Sequence, residues 1–215
     1  MSDVSGLLRA ERLALIEVLE GLTAAEWATP SLCGAWTVQE VGAHLAWAPV
    51  QSVGAAAAAM VRSGFRLNTM IAQTAVGWSQ RGPDAVLVQL RSNAATAAKP
   101  VGMPEQSALV DAVVHSLDIR RPLGRSAPLS EPAFRRTAAF FTGLRWPMTM
   151  PIGDRNRGRI ARLRLEALDL DWACGQGPEV RGSAESLLLL LAGRPVSADE
   201  LSGPGVAGLD LTGVR

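Results

Sequence analysis

Apolar residues recur at helical spacing from about Val4 to Leu22, with Leu8, Leu15, Leu19 and Leu22 on one stripe and Ile16 and Val18 between them. That is the pattern of an amphipathic helix. It breaks at TPSLCGAW, residues 29–36, a stretch of small residues and proline. The TVQE sequence at 37–40 then offers Thr37 as N-cap and Glu40 three positions on, a capping box that starts a second helix. This helix runs through Val41, His44, Leu45 and Ala48, and Pro49 kinks or interrupts it before an alanine-rich continuation to about Val61. The turn signal RGP at 81–83 precedes a third helix over about Asp84–Ala98. A fourth, capped near Ser107, must end before Pro122, whose ring and missing N–H exclude it from a helix interior. A further helix spans Glu131–Leu144. Four or five helices of moderate length with short breaks predict an antiparallel, up-down bundle.

The pattern changes after Trp146. PMTMPIGDRNRGR, residues 147–159, is polar and turn-rich, as linkers are. In the RLRLEALDLDWAC stretch that follows, Leu163, Leu165, Ala167 or Leu168, Leu170 and Trp172 alternate with charged residues at period two, a strand or hairpin signal. Glu179–Arg181 reads as one more short strand. Ser183 then caps a helix whose core is ESLLLLLAGR, stopped by Gly193. The expected organisation is a helical bundle over 1–148 and a small α/β module over 149–215, a mainly α chain with a small mixed C-terminal domain.

Composition narrows the function classes. Twenty-one basic residues against 20 acidic ones leave a net charge of +1, so no whole-protein field points to nucleic acid or an anionic membrane. The five arginines of RNRGRIARLR, residues 155–164, stand without interleaved aromatics and read as a solvated edge. The longest apolar runs fall far short of a membrane span, and the N-terminus is not a signal peptide. The two cysteines, Cys33 and Cys174, form neither a disulfide framework nor a thiolate zinc pattern. A soluble, cytoplasmic protein is expected.

The chemistry concentrates in DAVVHSLDIRRPLG, residues 111–124. Asp111 and His115 are four apart, hence about 40° apart on one helix face, and Asp118 returns to within about 20° of Asp111. Val110, Val113, Val114 and Leu117 surround that stripe, so it lies within or beside the apolar face. Buried charge needs a partner, and a metal ion serves both carboxylate and imidazole. The chain's other histidine, His44, also lies on an inward face, and a metal site in a bundle takes one inward ligand from each facing helix. Two nitrogens and one oxygen suit a catalytic zinc site with an open fourth position; they also suit ferrous iron.

LCGAWTVQEVGAHLA, residues 32–46, and VDAVVHSLDIRRPLG, residues 110–124, resemble the two signature segments of the mycothiol-dependent maleylpyruvate isomerase family, within the wider DinB-like metal-binding bundles. The tail GSAESLLLLLAGR, residues 182–194, resembles that family's small C-terminal domain. The resemblance implies a DinB-like four-helix bundle holding one divalent metal, Zn2+ first, through His44, His115 and Asp111. Asp111 stands where the family usually has glutamate, which shortens the carboxylate by a methylene. The implied cosubstrate is mycothiol. A metal would lower its pKa, and the thiolate would attack a small electrophile. In an isomerase the adduct rotates about a former double bond and expels the thiol; in an S-transferase the conjugate is released. The alternative is a non-catalytic metal-binding or assembly protein on the same bundle, and the sequence leaves a homodimer open.

Neighbouring residues carry smaller expectations. Asp118 either hydrogen-bonds a ligand histidine or pairs with Arg120 or Arg121. Those arginines either grip a substrate carboxylate or complement the helix dipole. Trp36 and Trp47 line a pocket or pack in the core, and Cys33 is a reactive thiol or a small buried residue.

Overall fold

A computed structural model of the chain describes residues 3–125, 129–144 and 157–213. The chain divides into two compact units, Met1–Ser126 and Ala127–Arg215.

The first unit is helical. In α1 (Val4–Glu20) the Asp3 carboxylate accepts the amides of Ser5 and Gly6, and Leu8, Leu15, Ile16 and Leu19 are buried. A single turn, α2 (Ala24–Trp27), is closed by a Thr23–Glu26 capping box. The loop after it is pinned by a Pro30–Thr37 bridge and by the Leu32 amide on the Asp118 carbonyl. The sequence capping box at 37–40 is present in both directions in α3 (Val38–Trp47): the Glu40 amide donates to Thr37 Oγ1, and Glu40 Oε2 accepts the Thr37 amide.

Pro49 interrupts the helix. One 3-10 turn, Ala48–Val50, follows α3, and α4 (Val53–Arg62) starts afresh under a Ser52 cap. Next come α5 (Leu67–Ser79), α6 (Pro83–Thr96) and α7 (Glu105–Arg120). Helices α1, α3, α6 and α7 form the bundle: α1 packs on α6 and α7, α3 packs on α6 and α7, and α5 backs α3. Its core includes Leu15, Leu19, Val41, Leu45, Val86, Leu90 and Ile119.

The second unit holds α8 (Glu131–Gly143), α9 (Arg157–Ile160), α10 (Ala184–Leu191) and a four-stranded sheet. Its strands, β1 (Arg164–Ala167), β2 (Ala173–Cys174), β3 (Glu179–Gly182) and β4 (Leu201–Ser202), lie in the order β2-β1-β3-β4. The central β1–β3 pair is parallel, with Leu165 opposite Val180, and the flanking pairs are antiparallel. Leu165 and Ala167 are buried while Arg164 and Glu166 are not, the period-two alternation of a half-covered sheet. Leu187–Leu191 of α10 are all buried, and α10 packs on α8, β1 and β3.

Three differences from the sequence expectation have physical reasons. The helix Glu131–Gly143 packs on α10, so the units divide at Ser126/Ala127 and not at 148/149. Helix α5 carries no side-chain N-cap at Arg66, which removes the punctuation that would have announced it. And α7 begins at Glu105 from an extended Pro104, with Ser107 already inside the helix. The linker expected over 147–159 lies, up to residue 156, outside the described residues. Among the described residues no helix is long and apolar enough to cross a membrane.

Candidate metal centre

Two bundle helices build the site. Helix α3, started by its capping box, carries His44; α7, buried along nearly its whole length, carries Asp111, His115 and Asp118. Asp111 Oδ1 lies 3.5 Å from His44 Nε2 and 3.4 Å from His115 Nε2. The two imidazoles meet edge to face with ring centroids 5.0 Å apart. The donor atoms of His44, Asp111 and His115 all fall within 4.8 Å of one another. With zinc–ligand distances of 2.0–2.1 Å, tetrahedral donors sit about 3.3 Å apart, so the observed separations fit a divalent cation. The aspartate, short as it is, reaches both nitrogens. The site is asymmetric in exposure: each histidine side chain is 10% exposed and Asp111 39%, so the carboxylate marks the side open to solvent.

His115 is oriented by a hydrogen bond. Its Nδ1 lies 2.8 Å from Oδ2 of Asp118, whose side chain is fully buried. An imidazole held at Nδ1 by a carboxylate turns Nε2 toward the site. His44 has no such partner among the described residues, its Nδ1 being buried without a hydrogen bond. Trp36 flanks both rings, 5.5 Å from His44 and 6.4 Å from His115 between centroids.

The charges reinforce one another. Loss of hydration acts to raise the Asp111 pKa, but the charges of His44 and His115 and their hydrogen bonds outweigh it, holding the carboxyl well below the usual carboxylate range. For His115, loss of hydration acts to lower the pKa. Hydrogen bonding and charge from Asp111, followed by hydrogen bonds with Asp118 and Cys33, overcome it and raise the imidazole well above its ordinary value. His115 thus sits between two carboxylates, Asp111 and Asp118, in surroundings that favour positive charge.

The remaining expected residues go to different places. Arg120 is buried, its Nε donates to Ser116 Oγ, and its charge acts on Glu11 of α1, so it serves the packing of α7 on α1. Arg121 is the half-buried C-cap of α7. Trp47 lines a separate cleft of about 270 Å³ with Arg62, Trp78 and Arg81. Cys33 is brought to the back of the site, where its Sγ clusters with His115 and Asp118.

Two residues went unread in the sequence. Arg12 is buried on α1, donating to the carbonyls of Asn93 and Ala98, and the Asp111 carboxylate acts on its charge. Asn93 on α6 donates to the end of α3. The available signal was a polar residue inside each apolar stripe: Arg12 between Leu8 and Leu15, Asn93 between Leu90 and Ala94.

A four-helix bundle with an inward histidine–aspartate–histidine cluster, followed by a small mixed-sheet module, defines the class of fold. Residues 8–108 match the family model of the mycothiol maleylpyruvate isomerase N-terminal domain. That match includes His44 and ends before Asp111 and His115. Along 99% of its length the chain also resembles two solved structures, covering 95% of each at a TM-score of 0.61. They are crystal structures of the mycothiol-dependent maleylpyruvate isomerase, at 18% identity, and of its histidine-to-alanine mutant, at 17%. At such identity the likeness establishes the shared fold. No curated protein matches the chain.

Proposed function

We propose that the protein is a metal-dependent enzyme that uses mycothiol, acting on a small electrophile as a thiol S-transferase or a maleylpyruvate-type cis-trans isomerase. The observation that carries this reading is the convergence of His44 Nε2, Asp111 Oδ1 and His115 Nε2 at 3.4–3.5 Å around the Asp111 oxygen. Two imidazoles and one carboxylate with an exposed side suit Zn2+ with an open position. A divalent cation held there would lower the pKa of an incoming thiol and keep it a thiolate near neutral pH.

The chain's own residues supply the rest. Asp118 holds the proton on His115 Nδ1 and so frees Nε2 as a ligand. Asp111 contributes negative charge at the solvent-facing side, and Trp36 lies against both histidine rings. Both cysteines are free, in keeping with a reducing cytoplasm, where a low-molecular-weight thiol is available.

The test is turnover by zinc-loaded protein of maleylpyruvate and of a model electrophile, each with mycothiol, glutathione or bacillithiol. A rate that requires mycothiol supports the reading, and product analysis separates isomerisation from conjugation. No thiol-dependent rate with any of the three overturns it in favour of a non-catalytic metal-binding or assembly role.

A further inference from the structure

The two histidines are held differently. His115 has Asp118 on Nδ1, whereas the His44 Nδ1 is buried without a partner. The direction of the His44 ring therefore depends on where the end of α3 is placed, and that end has a defect. In a continuous helix the Leu45 carbonyl would accept the amide of residue 49, but residue 49 is proline and has no N–H. An unmet buried carbonyl one residue beyond a metal ligand would let the helix end fray or bend.

Asn93 fills that gap. Its Nδ2 reaches across from α6 to the Leu45 carbonyl at 3.3 Å and the Ala46 carbonyl at 2.8 Å. The side chain is fully buried, so water does not compete. Its amide is fixed in orientation because Oδ1 accepts from Gln89 Nε2 at 2.9 Å, which leaves both N–H groups for α3. The Asn93 main chain is anchored in turn: its carbonyl accepts Arg12 Nη1 at 2.9 Å, and Arg12 Nη2 donates to the Ala98 carbonyl at 2.6 Å.

We propose that Asn93 is a positioning residue for the metal centre: it replaces the amide missing at Pro49 and so sets the place of His44 on α3. This rests on the reading of His44, Asp111 and His115 as metal ligands. It assigns to the Gln89–Asn93–Arg12 chain the orienting work on His44 that Asp118 does on His115.

The experiment measures Zn2+ affinity by chelator competition and the visible spectrum of the Co2+-substituted protein, beside the melting temperature. The expected result for Asn93→Leu is a loss of Zn2+ affinity of about tenfold, the low end for residues that orient a ligand, with an altered Co2+ spectrum. Adding Pro49→Ala to that variant returns an N–H to the Leu45 carbonyl and should recover most of the affinity. Leu188→Ala, a core truncation on α10 of the second unit, should lower the melting temperature and leave affinity and spectrum unchanged. Wild-type affinity within twofold and an unaltered spectrum in Asn93→Leu would overturn the proposal. If Asn93→Leu does not fold, Gln89→Met, which only frees the Asn93 amide to turn, should show a smaller loss of the same sign, and an unchanged affinity there overturns it. Absence of metal binding in the unmutated chain would show itself separately and would remove the metal reading together with this one.

Discussion

Asp118→Asn isolates what one buried hydrogen bond contributes to the site. The substitution is isosteric, keeps an acceptor near His115 Nδ1 at the 2.8 Å contact, and removes only the charge. Since Asp118 is fully buried, solvent screening does not dilute the effect. A hydrogen bond to a charged group is worth about 1.5–3 kcal/mol against about 1 for a neutral one, so the charge contributes about 0.5–2 kcal/mol. At about 1.4 kcal/mol per tenfold, that is roughly a 2- to 30-fold loss of metal affinity. The carboxylate favours a proton on His115 as it favours a cation, so the variant also eases proton competition. The loss should therefore be larger at about pH 8.5 than at about pH 6.5. Chelator competition with Zn2+ at both pH values reads this directly. An affinity within twofold of wild type at the higher pH would refute the assignment of Asp118 as the group that orients His115.

Three further outcomes follow from the same geometry. His115, with its pKa raised, carries its extra proton in the metal-free folded protein, so metal uptake must release it and affinity must rise with pH until His115 titrates; calorimetry in buffers of different ionisation enthalpy should give different apparent enthalpies, and identical ones would contradict this. Asp111→Asn removes the charge shared by both histidines and should lose more metal affinity than Asp118→Asn, with less change in the melting temperature because Asp111 is 39% exposed; the reverse order would contradict the ligand assignment. Gly175→Ala places a Cβ against the Leu163 carbonyl at φ +83°, which should destabilise the β1–β2 hairpin by about 2 kcal/mol, and an unshifted urea midpoint would be inconsistent with that turn.

Much of the site was legible because it is local. The i, i+4 spacing of Asp111 and His115, and the capping box that fixes the phase of α3, are sequence-adjacent facts, and the structure brings the residues they place to within hydrogen-bond distance of one another. Helix ends marked by proline or glycine were also legible: Pro122 beyond α7, and Gly193 with φ +69° after α10. What escaped was non-local or unpunctuated. Helix α5 has no capping side chain, and β4 is two residues that pair only because β3 is there. The membership of α8 in the second unit depends on what it packs against, which its own amphipathic pattern does not state. Arg12 and Asn93 look like interruptions of their apolar stripes until the carbonyls they satisfy, on other helices or past a helix end, are in view.

The central claim is that His44, Asp111 and His115 hold one divalent cation. The most direct measurement is metal content and Zn2+ titration of protein purified without a histidine tag, wild type beside His115→Ala. One cation per wild-type chain, lost in the variant while its helical content is kept, is the predicted result. Equal and negligible metal in both, with no difference in Zn2+ affinity, would contradict it.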